Sequence, residues 1–168
     1  MDLKKELIGL RILFGSYFLE TQKTWGESTV KALLNRLGQK PAEIVANQIL
    51  EKYDKSLDDP FKIPSAAFSL FENTITKLFN SEVISQETLS DRIIIKIKNE
   101  CTFRQTIKGR TELEYGGTLC EFTVGYFETA LKMLTGLNVE YHIVKKETTD
   151  ESCVINLVFY KKTENLKE

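Results

Sequence analysis

Residues 92–103 read RIIIKIKNECTF, and here the chain changes its period. Upstream, apolar residues recur every three or four positions; from Arg92 onward they alternate. Ile93, Ile95, Ile97, Cys101 and Phe103 share one face of an extended segment, and Lys96, Lys98, Glu100 and Thr102 occupy the other. A half-buried strand arriving after a run of helices points to an α+β domain.

Working toward the N-terminus, residues 5–20 read as a helix that is apolar nearly all round, with Leu7, Leu10, Leu13, Phe14, Tyr17 and Phe18 joined by Ile8 and Ile12. So little polar face requires cover on two sides, by the domain and by a partner subunit. Thr24-Trp25-Gly26-Glu27 has the form of a capping box, after which Val30, Leu33, Leu34 and Leu37 make an apolar stripe. Gly38 is expected to end that helix and Pro41 to begin a third, carrying Ile44, Val45, Ile49 and Tyr53. DKSLDDPFKIPS (54–65) is a loop, and Ser65 can cap a fourth helix bearing Phe68, Phe71, Ile75, Leu78 and Phe79.

Toward the C-terminus, 104–115 reads as a second strand or an extended loop. A helix over about 118–135 follows, and then a hairpin. Val139, Tyr141 and Ile143 on its first strand, and Cys153, Ile155, Leu157 and Phe159 on its second, form the apolar face. The expected architecture is helices packed on one face of a small antiparallel sheet. The 168 residues make a single domain: an N-terminal, dimerising helix over 1–23, a body over 24–160 and a tail over 161–168.

Composition narrows the function classes. Lys and Arg number 23 against 24 Asp and Glu, interspersed along the chain, which argues against a nucleic-acid binder. Lys108-Gly109-Arg110, followed by Glu112 and Glu114, reads as a solvated turn. Three scattered cysteines do not make a secreted disulfide framework, so a reducing, cytoplasmic setting is expected. Asp2 and Glu6 beside the N-terminal lysines, and Arg11 within the apolar run, argue against a signal peptide. The uncharged run 12–19 is too short to span a bilayer.

The helix over 118–135 carries the most information. Thr118 and Glu121 have capping-box spacing, Glu128 and Lys132 are spaced for an ion pair, and Gly136 supplies the stop. Gly125 in mid-helix costs about 1 kcal/mol of helix propensity relative to Ala, and its place is best explained by close approach of another backbone. Cys120 lies on the apolar stripe beside Glu121, which favours a buried small hydrophobe over a reactive thiol. The two glycines of YGGTLC make a tight turn; without a lysine or a Gly-x-Gly-x-x-Gly pattern they are a weak phosphate signal. No Ser-His-Asp or Cys-His spacing supports nucleophilic catalysis, so no enzyme activity is expected.

Residues 118–159, TLCEFTVGYFETALKMLTGLNVEYHIVKKETTDESCVINLVF, resemble the C-terminal half of the 4-vinyl-reductase-like, hydrocarbon-binding domain family. The shared features are Cys120, Phe122 and Gly125 opening the helix, Thr135-Gly136 ending it, an alternating strand, an acidic turn and Cys153 starting the final strand. The resemblance implies the fold shared with TRAPP tethering subunits: helices on a twisted antiparallel sheet, commonly dimeric, with an apolar pocket between the layers. It also implies a zinc site formed by the helix cysteine, a Glu-x-x-Cys on the next strand and the last-strand cysteine.

Here the middle Glu and Cys fall on His142 and Lys145, or on Ile143 and Lys146, depending on the direction of counting. Lysine is a poor zinc ligand, so the family site is broken. A reduced set of Cys120, His142 and Cys153 is the remaining arrangement. Strand alternation opposes it, sending His142 with Glu140 to the face away from Cys153, unless a bulge intervenes.

The function expected from these features is a non-enzymatic binding or sensor domain for a small apolar or aromatic molecule, working as a homodimer. Trp25, Phe68, Phe71, Phe103, Phe122 and Tyr126 are its candidate pocket residues, and no cofactor beyond that zinc is implied. The alternative is a TRAPP-like scaffold acting through protein surfaces.

Overall fold

The computed structural model describes residues 3–75 and 78–161. Of the expected C-terminal tail, residues 162–168 lie outside the described part. Helices α1 (Leu3–Trp25), α2 (Glu27–Lys52) and α3 (Pro64–Ile75) precede strands β1 (Ser81–Thr88) and β2 (Arg92–Glu100). A single-turn helix α4 (Arg104–Ile107) follows. A 3-10 turn over Thr118–Cys120 then leads into α5 (Glu121–Thr135), and β3 (Asn138–Glu147) and β4 (Ser152–Tyr160) close the chain. The strands form one antiparallel sheet in the order β1-β2-β4-β3.

The α+β class and the helix-on-sheet layering match the sequence reading. Ile95 and Ile97 of β2 and Ile155, Leu157 and Phe159 of β4 are buried with Phe127, Leu131 and Leu134 of α5 and Phe68 and Phe71 of α3. No described helix is long and apolar enough to cross a membrane.

Several local expectations are corrected. Gly38 does not end a helix, and Pro41 does not begin one: α2 runs 26 residues through both. The break between α1 and α2 falls at Gly26, where a helix start was expected, and its φ of 79° is open to glycine at little cost.

Gly38 and Gly125 are where α2 and α5 cross. A Cβ on Gly125 would lie 2.8 Å from the Asn35 carbonyl carbon and closer still to its oxygen. One on Gly38 would lie 2.9 Å from Tyr126 N and closer still to Phe122 O. The close approach expected of Gly125 is therefore present, and Gly38 is its reciprocal half.

Neither capping box forms. The Thr24 hydroxyl donates back to Glu20 O at 2.8 Å, and the Thr118 hydroxyl donates to Glu27 Oε1 at 3.1 Å, tying the start of α5 to the start of α2. Glu27 also pairs with Lys31 at 2.8 Å. Glu128 accepts the Tyr141 N–H at 2.9 Å, so this carboxylate couples α5 to β3. The fourth expected helix begins at Pro64, one residue before Ser65, and is described as far as Ile75, whose carbonyl accepts from the N–H groups of Leu78 and Phe79.

Strand β1 was not expected. After Ser81 it is exposed on both faces, so it carries no alternation by which to be recognised. The strand or loop expected over 104–115 is α4 and irregular chain. Within it, Gly109 turns at φ 80°, but Arg110 is half-buried rather than solvated. Its guanidinium lies against Gly15 of α1, where a Cβ would meet it at 2.5 Å, and donates to the carbonyls of Thr106, Arg11 and Ile12.

Candidate functional site

Three elements bring the chain's three cysteines together. Cys101 directly follows β2, and its N–H donates to Glu151 O at 2.9 Å, which holds it beside the start of β4. Cys153 is the second residue of β4 and faces inward, opposite Asn99 of β2 and Lys146 of β3. Cys120 ends the 3-10 turn and stands at the N-terminus of α5. All three are free thiols, and with Asn99, Thr123 and Tyr141 they line a narrow cavity of about 10 Å3. That is at the lower limit of room for one water molecule.

The electrostatics of the cluster follow from burial and from a thiol-to-thiol hydrogen bond. Donation from Cys120 is the largest influence on Cys101 and holds it below the usual thiol range; burial opposes this, and the Phe103 N–H adds to the lowering. The same contact, with burial, pushes Cys120 far up. Burial pushes Cys153 up to about 11. The Tyr141 phenol, fully enclosed, is held well above its ordinary value; Asn99 reaches its hydroxyl while accepting from Ser81 Oγ at 2.9 Å. No carboxylate or imidazole lines the cavity to act as a base.

His142 is not part of it. It is exposed on the opposite face of β3, where Nε2 lies 2.9 Å from Glu140 Oε2, and Glu140 in turn accepts from Tyr160 at 2.7 Å. β3 does contain a bulge, between Ile143 and Lys145, but it lies beyond His142 and so leaves it facing out. Its effect is to set Lys146, rather than Lys145, opposite Cys153. Lys146 reaches Glu114 Oε1 at 3.2 Å and packs over Gly116.

The set Cys120, His142 and Cys153 is thus not assembled. Among the described residues no three His, Cys, Asp or Glu side chains are grouped to hold a metal ion. The third member of the cluster is Cys101, which the sequence reading left as an ordinary core residue. The available signal was its phase, since it continues the inward face of Ile95 and Ile97.

The cysteines border a second, smaller apolar core. Phe18, Val30, Leu34, Cys101, Ile107 and Leu119 are buried there, with Phe103, Leu113, Tyr115 and Phe122 packed against them. Its roof is the mostly irregular segment 101–119, which folds over parts of α1, α2 and α5.

A row of rings runs through this roof into the main core. Phe14 stacks on Phe103 at 6.2 Å, Phe103 meets Phe122 edge-on at 6.0 Å, and Phe122 lies 6.2 Å from Tyr126. Tyr126 continues to Phe71 at 5.9 Å and Phe79 at 5.2 Å. Of the expected pocket residues, Phe71, Phe103, Phe122 and Tyr126 belong to this row. Phe68 lies in the main core, and Trp25, 54% exposed at the end of α1, stands apart. Phe14 is a member that the sequence reading had assigned only to an apolar helix.

The fold has known counterparts. No family model and no curated protein matches the chain. Among solved structures, the phenol-responsive sensory domain of the transcription activator PoxR, with phenol, is similar at a TM-score of 0.63 and 15% identity, over 89% of this chain and 74% of that one. A trafficking protein particle complex subunit 3 from Naegleria fowleri, covalently bound to palmitic acid, is similar at 0.64 and 16% identity, over 96% and 98%. At such identities the shared property is the fold.

Proposed function

We propose that this domain binds a small apolar or aromatic molecule beneath segment 101–119, senses it by reordering that segment, and performs no chemistry on it. The observation that carries this reading is the separate apolar core under an irregular roof, entered by the row Phe14, Phe103, Phe122 and Tyr126. Long irregular segments inside compact domains are usually binding loops or lids. The rings fill the space in the unliganded chain, so an aromatic ligand would enter by displacing Phe103, the half-buried ring nearest the surface helix.

The fold shared with a phenol-responsive domain supports the ligand class. The resemblance of Cys120, Phe122, Gly125, Thr135, Gly136 and Cys153 to the hydrocarbon-binding family points the same way. The reading needs no cofactor, and three free thiols suit a reducing cytoplasm.

The test is native mass spectrometry and thermal shift with phenol, indole and palmitate on the full chain. A one-to-one adduct and a rise in melting temperature are expected for an aromatic probe, and both are lost in Phe122→Ala. Absence of binding across the panel, with a rigid 101–119 segment by hydrogen exchange, refutes it.

A homodimer is part of the proposal, because α1 leaves Leu3, Leu7, Leu10 and Leu13 exposed while only Gly15 and Phe18 are buried. The same exposed helix favours the alternative, a scaffold subunit acting through protein surfaces, which the similarity to the trafficking subunit also supports. Sedimentation velocity separates these readings. A dimer that dissociates in Leu13→Glu supports the role of α1, and a monomer at every concentration removes it.

A further inference from the structure

Three thiols line one cavity while His142 lies on the other face of the sheet, and their placement points to a chemistry other than metal binding. Cys101 and Cys120 stand at the two ends of the roof segment and line the same narrow cavity of about 10 Å3. Cys153 lies on the same cavity but belongs to β4, outside the segment. Cys120 is partly exposed, so a small oxidant reaches the pair from its side without unfolding.

We propose that Cys101 and Cys120 form a reversible disulfide under hydrogen peroxide, a clasp that closes the neck of segment 101–119.

In the first step one sulfur attacks a peroxide oxygen. The O–O bond breaks, and the thiol's proton leaves with the departing oxygen as water, giving a sulfenic acid. The second sulfur then displaces the sulfenic hydroxyl, which takes up the second thiol's proton and leaves as another water. Two thiols lose two electrons and the peroxide gains them: two thiols and one peroxide give one disulfide and two waters. A dithiol reductant reverses the change by thiol–disulfide exchange. Transient, redox-responsive disulfides of this kind are the sort that occur in reducing compartments. The bond would restrict the segment's opening by closing a loop of about twenty residues. The inference concerns the segment itself and holds whatever the domain binds.

The full chain is treated with hydrogen peroxide, alkylated and mapped by non-reducing peptide mass spectrometry, with hydrogen exchange followed in parallel. The expected result is a loss of two hydrogens in a Cys101–Cys120 cross-linked peptide, with Cys153 still alkylated. Exchange over 103–117 should slow on the order of a hundredfold, and dithiothreitol should restore the starting state. Cys153→Ser should keep the cross-link and Cys101→Ser should abolish it. Should Cys101→Ser fail to fold, wild-type mapping and Cys153→Ser still decide the matter.

A cross-link that includes Cys153, over-oxidation without a cross-link, or three thiols left alkylatable overturns the proposal. So does one equivalent of added zinc shielding all three thiols from alkylation, which would make the cluster a metal site.

Discussion

The substitution Gly125→Ala tests whether the α2–α5 crossing depends on the absence of two methyl groups. The new Cβ would sit 2.8 Å from the Asn35 carbonyl carbon and closer still to its oxygen, well inside ordinary van der Waals separation. The obstacle is helix backbone, which cannot swing aside as a side-chain tip can, so the two helices must separate locally. Overpacking of this kind costs about 1–3 kcal/mol, and backbone obstruction places it at the upper end. Alanine returns about 1 kcal/mol of helix propensity. The net expectation is a loss of about 2 kcal/mol, or a melting temperature lower by about 4–8 °C for a chain of this size.

Gly38→Ala should behave alike, since its Cβ would meet Tyr126 N and Phe122 O on the other helix. The double variant should cost less than the sum, because the first methyl already separates the helices. Gly9→Ala is the control: nothing lies within 4 Å of its added Cβ, so only the propensity gain remains. Urea denaturation followed by circular dichroism measures all four. A Gly125→Ala protein as stable as the parent, with Gly9→Ala behaving as stated, would refute the crossing.

Other perturbations test the roof, the carboxylate in the α5–β3 seam and the displaced histidine. Phe103→Ala should destabilise by about 2 kcal/mol, less than a fully buried phenylalanine because the ring is half-exposed, and added phenol should restore part of the loss in a thermal-shift assay. Burial raises the Glu128 carboxyl, so the folded state binds more protons than the unfolded one between the two values. Its contribution is therefore greatest in acid and falls as pH rises through the folded value. Glu128→Gln, which keeps an acceptor for Tyr141 N–H, should then gain stability near neutral pH and none in acid, read from denaturation midpoints across pH. His142→Ala should move stability by no more than about 0.5 kcal/mol and leave peroxide cross-linking of the cysteines unchanged, because His142 lies on the other face of the sheet.

The elements most legible in the sequence were those whose periodicity is enforced by a buried face. β2, β4 and α5 fell within a few residues of expectation because Ile95, Ile97, Ile155, Leu157 and Phe127 have no solvent side. β1 offered nothing to read: past Ser81 neither of its faces is covered, and only pairing with β2 makes it a strand. Gly38 and Pro41 look like punctuation locally, but the glycine is required by a helix distant in sequence and the proline is carried within a helix held on its buried side.

Cap residues misled for a related reason. The Thr118 hydroxyl donates across to Glu27 of α2, and no side-chain oxygen accepts an N–H at the start of α5. At the candidate site, the phase of β3 correctly placed His142 outward. The convergence of Cys101 with Cys120 depends on a turn after β2 and on the path of segment 101–119, neither of which leaves a periodic trace.

The strand order β1-β2-β4-β3 has a kinetic consequence. β1 with β2, and β3 with β4, are hairpins of low contact order that can form from adjacent chain. The pairing at the centre of the sheet, β2 with β4, joins residues separated by all of 101–151 and waits for α5 to dock. The domain is thus two local ribbons stitched along one non-local seam. Truncating Ile97 or Ile155 at that seam should slow refolding, whereas changes in exposed β1 should act on unfolding alone. Stopped-flow chevrons would locate the rate-limiting step between the ribbons.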